Sequence, residues 1–151
     1  MIVAVASDHA GFTAKEIIVK EAKRLGHEVL DLGTNDCSSV DYPDYALKAA
    51  ELVASGKAQR GILACGSGIG MCIVANKVKG ARASIAHDVY SAAQGIEHND
   101  MNILCIGGKV VDHKLTPQLV EAFLNASFLK GEERFERRSS KIKAIESANF
   151  K

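Results

Sequence analysis

Short β-branched runs alternate with longer stretches of helical period along most of this chain. Ile2 to Ala6 is a compact apolar run that ends in Ser7-Asp8-His9-Ala10-Gly11. Ala14, Ile17, Ile18, Ala22 and Leu25 then recur at spacings of three and four and stop at Gly26, the pattern of an amphipathic helix with its terminal glycine. His27 to Leu32 reads as a second strand. Pro43 sits where a first helical turn tolerates proline, and Ala46, Leu47, Ala50, Val53 and Ala54 form the next stripe, stopped by Gly56.

The unit repeats. Gly61 to Ala64 is a strand running into Cys65-Gly66-Ser67-Gly68-Ile69-Gly70, followed by a helix through Ile73 and Val74. Ala81 to Ala86 and Asn102 to Ile106 are the fourth and fifth strands. Val89, Ala92, Ala93 and Ile96 mark the helix between them, and Leu115, Leu119, Ala122, Phe123 and Ala126 the helix after them. A basic helix over about 132–148 closes the chain. Strands apolar on both faces and alternating with helices predict an α/β protein: a three-layer α/β/α arrangement around a five-stranded parallel sheet.

Composition narrows the functional classes. With 151 residues the chain has room for one domain, taken as residues 1–151, with the last helix belonging to the site or to a dimer. Lys and Arg total 19 and Asp and Glu 18, a net charge of +1, which gives no electrostatic reason to expect nucleic acid or an anionic membrane as partner. No window approaches the roughly 20 apolar residues of a membrane span. The N-terminal run lacks a preceding basic segment, so a signal peptide is not expected and the default setting is cytoplasmic. Cys37, Cys65, Cys72 and Cys105 show no C-x-x-C spacing; free thiols rather than disulfides or a structural zinc site are expected, with all but Cys65 packing as small hydrophobes.

In such a sheet the ligand crevice lies at the carboxyl ends of the strands. C-G-S-G-I-G is the most informative segment there. Alternate glycines between strand and helix let backbone N–H groups turn inward as a cradle for an oxyanion or phosphate, or simply make a tight turn. It is neither a dinucleotide fingerprint, since Met71 stands where glycine is needed, nor a Walker loop. Cys65 at the mouth of that helix is expected to have a pKa below the free value of about 8.5, which suits a nucleophile or a base; filling a strand end is the alternative. Asp8-His9 offers an acid–base pair or an orienting pair, with a hydrogen-bonded structural histidine as the alternative. Arg134 and Arg138, at i and i+4 on one helix face, either clamp a phosphate or form a solvated face with Glu132, Glu133 and Glu136. His98-Asn99-Asp100 falls at the opposite edge of the sheet from Cys65, so a catalytic role there requires service to a neighbouring chain.

S-D-H-A-G at 7–11, D-Y-P-D at 41–44, C-G-S-G-I-G at 65–70, A-N-K at 75–77, E-H-N at 97–99 and K-I-K-A-I-E at 141–146 together resemble ribose-5-phosphate isomerase type B, a family that includes the subunits of galactose-6-phosphate isomerase. The likeness runs in order over about residues 2–146. It implies a five-stranded parallel, Rossmann-like sheet, a homodimer, or a dimer of dimers, with shared active sites, a sugar phosphate as small-molecule partner, and neither cofactor nor metal. Cys65 resembles the base that moves a proton between C1 and C2; some members place a glutamate just past the loop, where this chain has Met71. Ser67 then helps hold the sugar oxygen, and Gly66, Gly68 and Gly70 cradle the enediolate. Asp8 and His98 of the partner resemble the pair that opens the furanose ring, Asn99 and Tyr42 contact sugar hydroxyls, and His9, Arg134 and Arg138 fall on phosphate contacts.

Two positions depart from that pattern near the phosphate end. Lys109 stands in place of the usual arginine, and Phe135 follows Arg134 in place of the usual histidine. The implied reaction is ribose 5-phosphate to ribulose 5-phosphate through an enediolate. The same chemistry on allose or galactose 6-phosphate is the nearest alternative. A nucleotide-binding module using Gly66 to Gly70 and Asp88, or a catalytically silent partner subunit, are the others.

Overall fold

The pleat of three central strands sorts their side chains into two cores. Val3 and Val5, Ile62 and Ala64, and Leu104 and Ile106 point to one face; Ala4 and Ala6, Leu63 and Cys65, and Ile103 and Cys105 point to the other. Both sets are almost fully buried, which is why these strands read as continuous apolar runs rather than alternating ones. The computed structural model describes residues 1–150. Its strands are β1 (Ile2–Ser7), β2 (Glu28–Asp31), β3 (Arg60–Cys65), β4 (Ala83–Ile85) and β5 (Ile103–Gly107), all parallel in the order β2-β1-β3-β5-β4.

Helices α1 (Phe12–Arg24), α4 (Val89–Asn99) and α5 (Thr116–Asn125) cover the first face, and α2 (Tyr42–Ala54) and α3 (Ile69–Ala75) the second. Helix α6 (Glu133–Asn149) packs outside α4. The result is the expected three-layer α/β/α sandwich. No helix of the described residues is long and apolar enough to cross a membrane.

Chain order changes direction at β1. The chain crosses to β2 on one side through α1, then returns past β1 to β3 through α2 on the opposite face. A crevice therefore opens between the carboxyl ends of β1 and β3, where Asp8 and Cys65 lie. β4 is shorter than the Ala81–Ala86 expectation. The Arg82 N–H donates to Asn102 Oδ1 at 2.7 Å and the Ala83 N–H to Asn76 Oδ1 at 2.9 Å, so side chains take the donors at the start of the strand.

Two contacts fix α1 against the sheet. Lys15, with 1% of its side chain exposed, places Nζ 2.7 Å from both Asp31 oxygens, an ion pair that offsets the cost of burying its charge. Gly11, at the helix start, lies directly on the end of β3: a Cβ there would stand 2.3 Å from the Ala64 carbonyl oxygen and 2.7 Å from the Cys65 nitrogen. Both neighbours are backbone, so neither can swing aside. Gly11→Ala is expected to cost at least about 1–3 kcal/mol, the range for overpacking a filled interior, read as a lower urea midpoint at unchanged denaturant slope.

Candidate active site

The site is built from the segments immediately after β1, β3 and β5, together with the first turn of α2. Beyond Cys65 the chain must reverse within three residues, and Gly68 does this with φ +81°, a conformation side chains rarely adopt. A Cβ at Gly68 would also come within 3.1 Å of the Ile106 carbonyl carbon. The loop is clasped to the end of β5 by two hydrogen bonds: the Gly108 N–H donates to the Cys65 carbonyl at 2.7 Å, and the Lys109 N–H to the Gly66 carbonyl at 3.0 Å.

Cys65 is 5% exposed at the floor of this loop. Its sulfur accepts the Gly68 N–H at 3.0 Å, so one amide of the turn is aimed at the thiol itself. Among the described residues, the N–H groups of Gly66, Ser67 and Gly70 find no protein acceptor. Ser67 is exposed at the rim, its Oγ 3.3 Å from the Ile69 nitrogen. The loop thus sets a sulfur beneath several free amide donors and one hydroxyl. Because α3 has only seven residues, the local donors rather than a long helix dipole supply the positive potential.

Around the loop stand the other residues that the sequence places on this rim. Asp8 is buried, and one carboxylate oxygen caps the turn at 9–11 by accepting the Gly11 N–H at 2.9 Å; the other has no protein donor among the described residues. His9 Nδ1 accepts the Val40 N–H at 3.2 Å, so in the neutral ring the proton lies on Nε2. The Tyr42 ring lies against Gly70, where a Cβ would meet it at 2.6 Å. A Cβ at Gly66 would stand 3.6 Å from the Lys109 stem, and His87 Nε2 accepts the Gly107 N–H at 3.1 Å.

The remaining candidates lie elsewhere. Helix α4 starts at the carboxyl edge of the sheet and carries His98 and Asn99 to the opposite edge, about 15 Å away by helical rise. There the His98 ring stacks on Phe135 with centroids 4.0 Å apart and planes at 18°. The Arg134 guanidinium lies 4.6 Å from the centroid of the same Phe135 ring. Glu133 is taken by Arg137 and Glu136 by the Gly131 N–H, which leaves Arg134 and Arg138 exposed and without a carboxylate partner among the described residues. Within one chain the structure therefore assembles two half-sites: Asp8, His9, Tyr42, Lys109 and the 65–70 loop in one, and His98, Asn99, Arg134 and Arg138 in the other. Gln94, which bonds His98, has no part in the sequence reading, and Phe135 enters it only as a lost polar ring. Their spacing from functional positions is the one signal that could have pointed to either.

The other thiols divide. Cys105 is buried and Cys72 half-buried, whereas Cys37 is exposed rather than packed. A hydrogen bond with the Cys105 thiol, helped by the Ile85 backbone and the Asn76 amide, draws Cys72 down to about 7 against the opposing effect of burial. The same bond and burial push Cys105 well up. Among the described residues no three His, Cys, Asp or Glu side chains converge as a metal site would require.

Known proteins share this arrangement over nearly its whole length. The Ribose/Galactose Isomerase family pattern matches residues 3–142. The Bacillus subtilis protein YwlF is 46% identical over 152 residues, covering 99% of this chain and 100% of that one. Escherichia coli ribose-5-phosphate isomerase B is 42% identical over 144 residues, 95% of each. Among solved structures, Clostridium thermocellum ribose-5-phosphate isomerase B superposes with a TM-score of 0.93 at 44% identity, covering 98% of this chain and 99% of that one. With the family pattern matched over residues 3–142 and these similarities spanning nearly the whole chain, the chain belongs to the ribose/galactose isomerase family.

Proposed function

We propose that this protein interconverts ribose 5-phosphate and ribulose 5-phosphate by proton transfer through an enediolate, with Cys65 as the base. The observation that carries the reading is the Cys65 sulfur held beneath the unpaired N–H groups of Gly66, Ser67 and Gly70. A thiolate there removes the C2 proton of the open-chain aldose. The electron pair moves into the C1–C2 bond and charge develops on O1, facing the amide donors and the Ser67 hydroxyl. Return of the proton to C1, as the O2 proton passes to O1, leaves the ketose with no atom gained or lost. Each oxyanion donor of this kind contributes roughly 2.7–4 kcal/mol to transition-state stabilisation, and the phosphate supplies remote binding energy that holds the reacting end in place.

A free sugar phosphate is mostly a closed ring, and the chain places the group for opening it on the wrong edge of its own sheet. We infer a homodimer, alone or as a dimer of dimers, in which Asp8 of one copy and His98 of the other act on the ring. Tyr42 of the first and Asn99 of the second touch sugar hydroxyls. His9 and Lys109, with Arg134 and Arg138 of the second copy, hold the phosphate. A groove of about 640 Å³ along the edge strand β4 supports this reading, with Gln94 and Asn99, which flank His98, on its wall beside Ile142 and Ile145. Ile145 is 63% exposed in the single chain, an apolar surface suited to burial against a copy. The free thiols fit a reducing, cytoplasmic setting.

Cys65→Ala, with unchanged circular dichroism, is expected to lower kcat for ribose 5-phosphate about 10²–10⁴-fold, the usual contribution of a positioned base; near-normal turnover would remove Cys65 from the mechanism. Substitution is the right probe, because a thiol ionising at about 7 at Cys72 would confound alkylation. Running the native protein against allose and galactose 6-phosphates distinguishes the pentose reading from the hexose one by the ratio of kcat/KM values.

Sharing of sites has its own test. Cys65→Ala and His98→Ala subunits, each reduced to residual activity alone, are unfolded together and refolded. Half of the random dimers are then mixed, each with one intact site, which restores roughly a quarter of native activity if sites are built across a two-fold interface. No recovery would place both residues in one chain's site.

A further inference from the structure

Three side chains meet at the carboxyl end of α4, and ring opening by His98 engages only one of them. Gln94 and His98 are four residues apart on one helix face, so they are neighbours by helical geometry. Gln94 Nε2 lies 2.9 Å from His98 Nδ1. An amide N–H can only donate, so Nδ1 receives it through its lone pair, and the proton of the neutral ring belongs on Nε2. On the ring face Phe135, 4% exposed, reaches in from α6 and stacks at 4.0 Å. The ring is thus fixed at its edge by a hydrogen bond and over its face by an aromatic plane.

We propose that Gln94 and Phe135 are positioning residues that hold His98 as its Nε2–H tautomer, with that N–H presented to the ring oxygen of the substrate. The inference rests on the reading of His98 as the ring-opening group of a second copy's site. It assigns Gln94 the choice of tautomer and Phe135 the plane of the ring. Phe135 also has a second load: the Arg134 guanidinium lies 4.6 Å from its centroid, within cation–π range. One apolar ring therefore sets the spacing between the imidazole at the sugar end and a guanidinium at the phosphate end. A histidine at 135 would offer a smaller, more strongly hydrated platform; phenylalanine keeps the stack dry.

Two measurements test this. In ¹⁵N spectra of ring-labelled native protein, His98 is expected to show the pattern of the Nε2–H tautomer, and Gln94→Leu to give a mixture of the two; a native Nδ1–H tautomer would overturn the assignment, whatever the enzyme turns over. In kinetics, Gln94→Leu and Phe135→Leu are each expected to lower kcat/KM for ribose 5-phosphate about tenfold, with Phe135→Tyr close to native, and to have no further effect in a His98→Ala background, as coupled neighbours behave. Losses that persist undiminished in that background would mean that the two residues act on the fold rather than through His98. If His98→Ala itself kept native activity, the ring-opening reading would fall while the spectra still reported whether Gln94 sets the tautomer.

Discussion

Backbone lies on backbone where the loop at 65–70 meets the end of β5, and the rest of the site depends on that contact. Gly68 stands against the Ile106 and Gly107 main chain, and a Cβ on Gly107 would fall 2.8 Å from the Ser67 carbonyl carbon and oxygen. Two hydrogen bonds from the 108–109 turn close the clasp. A loop held this way cannot fold down to pair its own N–H groups with its own carbonyls, because the Cys65 and Gly66 carbonyls are already taken. The Gly66, Ser67 and Gly70 N–H groups are left without a protein acceptor among the described residues. Preorganisation here is a consequence of side chains being excluded, and it costs no rearrangement at the moment charge develops.

The same constraint explains why the candidate residues fall into two groups. A parallel sheet with right-handed crossovers delivers loops after strands to one edge and loops before strands to the other. The donors and the thiol belong to the first set, while His98 and Asn99, at the end of a helix that runs back, belong to the second. No side chain spans roughly 15 Å of helix, so under the function proposed above the two sets meet only across two copies. β4, only three residues long and sharing a groove with Ile142 and Ile145 of α6, is one of the two edges of the sheet, with β2 the other.

Much of this was legible in the residues. Strand runs such as Gly61–Ala64 and Asn102–Ile106 are apolar on both faces, and helices such as α1 keep a regular stripe, so periodicity alone gave the layers. That Cys65 and His98 lie on opposite edges followed from element order. What was not legible depends on contacts distant in sequence. β4 begins at Ala83 because the side chains of Asn102 and Asn76 take the Arg82 and Ala83 N–H donors, and no local pattern announces that. The ionisation of Cys72 depends on Cys105, thirty-odd residues away, lying opposite it across the α3–β5 interface.

Phe135 shows how a substitution can be misread when only its polarity is weighed. From the sequence it is a lost polar ring next to a phosphate-binding arginine, a subtraction. In three dimensions it is buried, stacked on His98 and in range of the Arg134 guanidinium. An apolar plane between two polar groups limits their motion without offering either a competing hydrogen bond, so each keeps its donors for the substrate. Lys109 is the converse case: its stem packs over Gly66 and its single point charge can follow a phosphate oxygen, where a guanidinium fork would demand one orientation. Under the function proposed above, Phe135 therefore holds its group of residues in one arrangement, while Lys109 leaves the other group free to adapt to a phosphate oxygen.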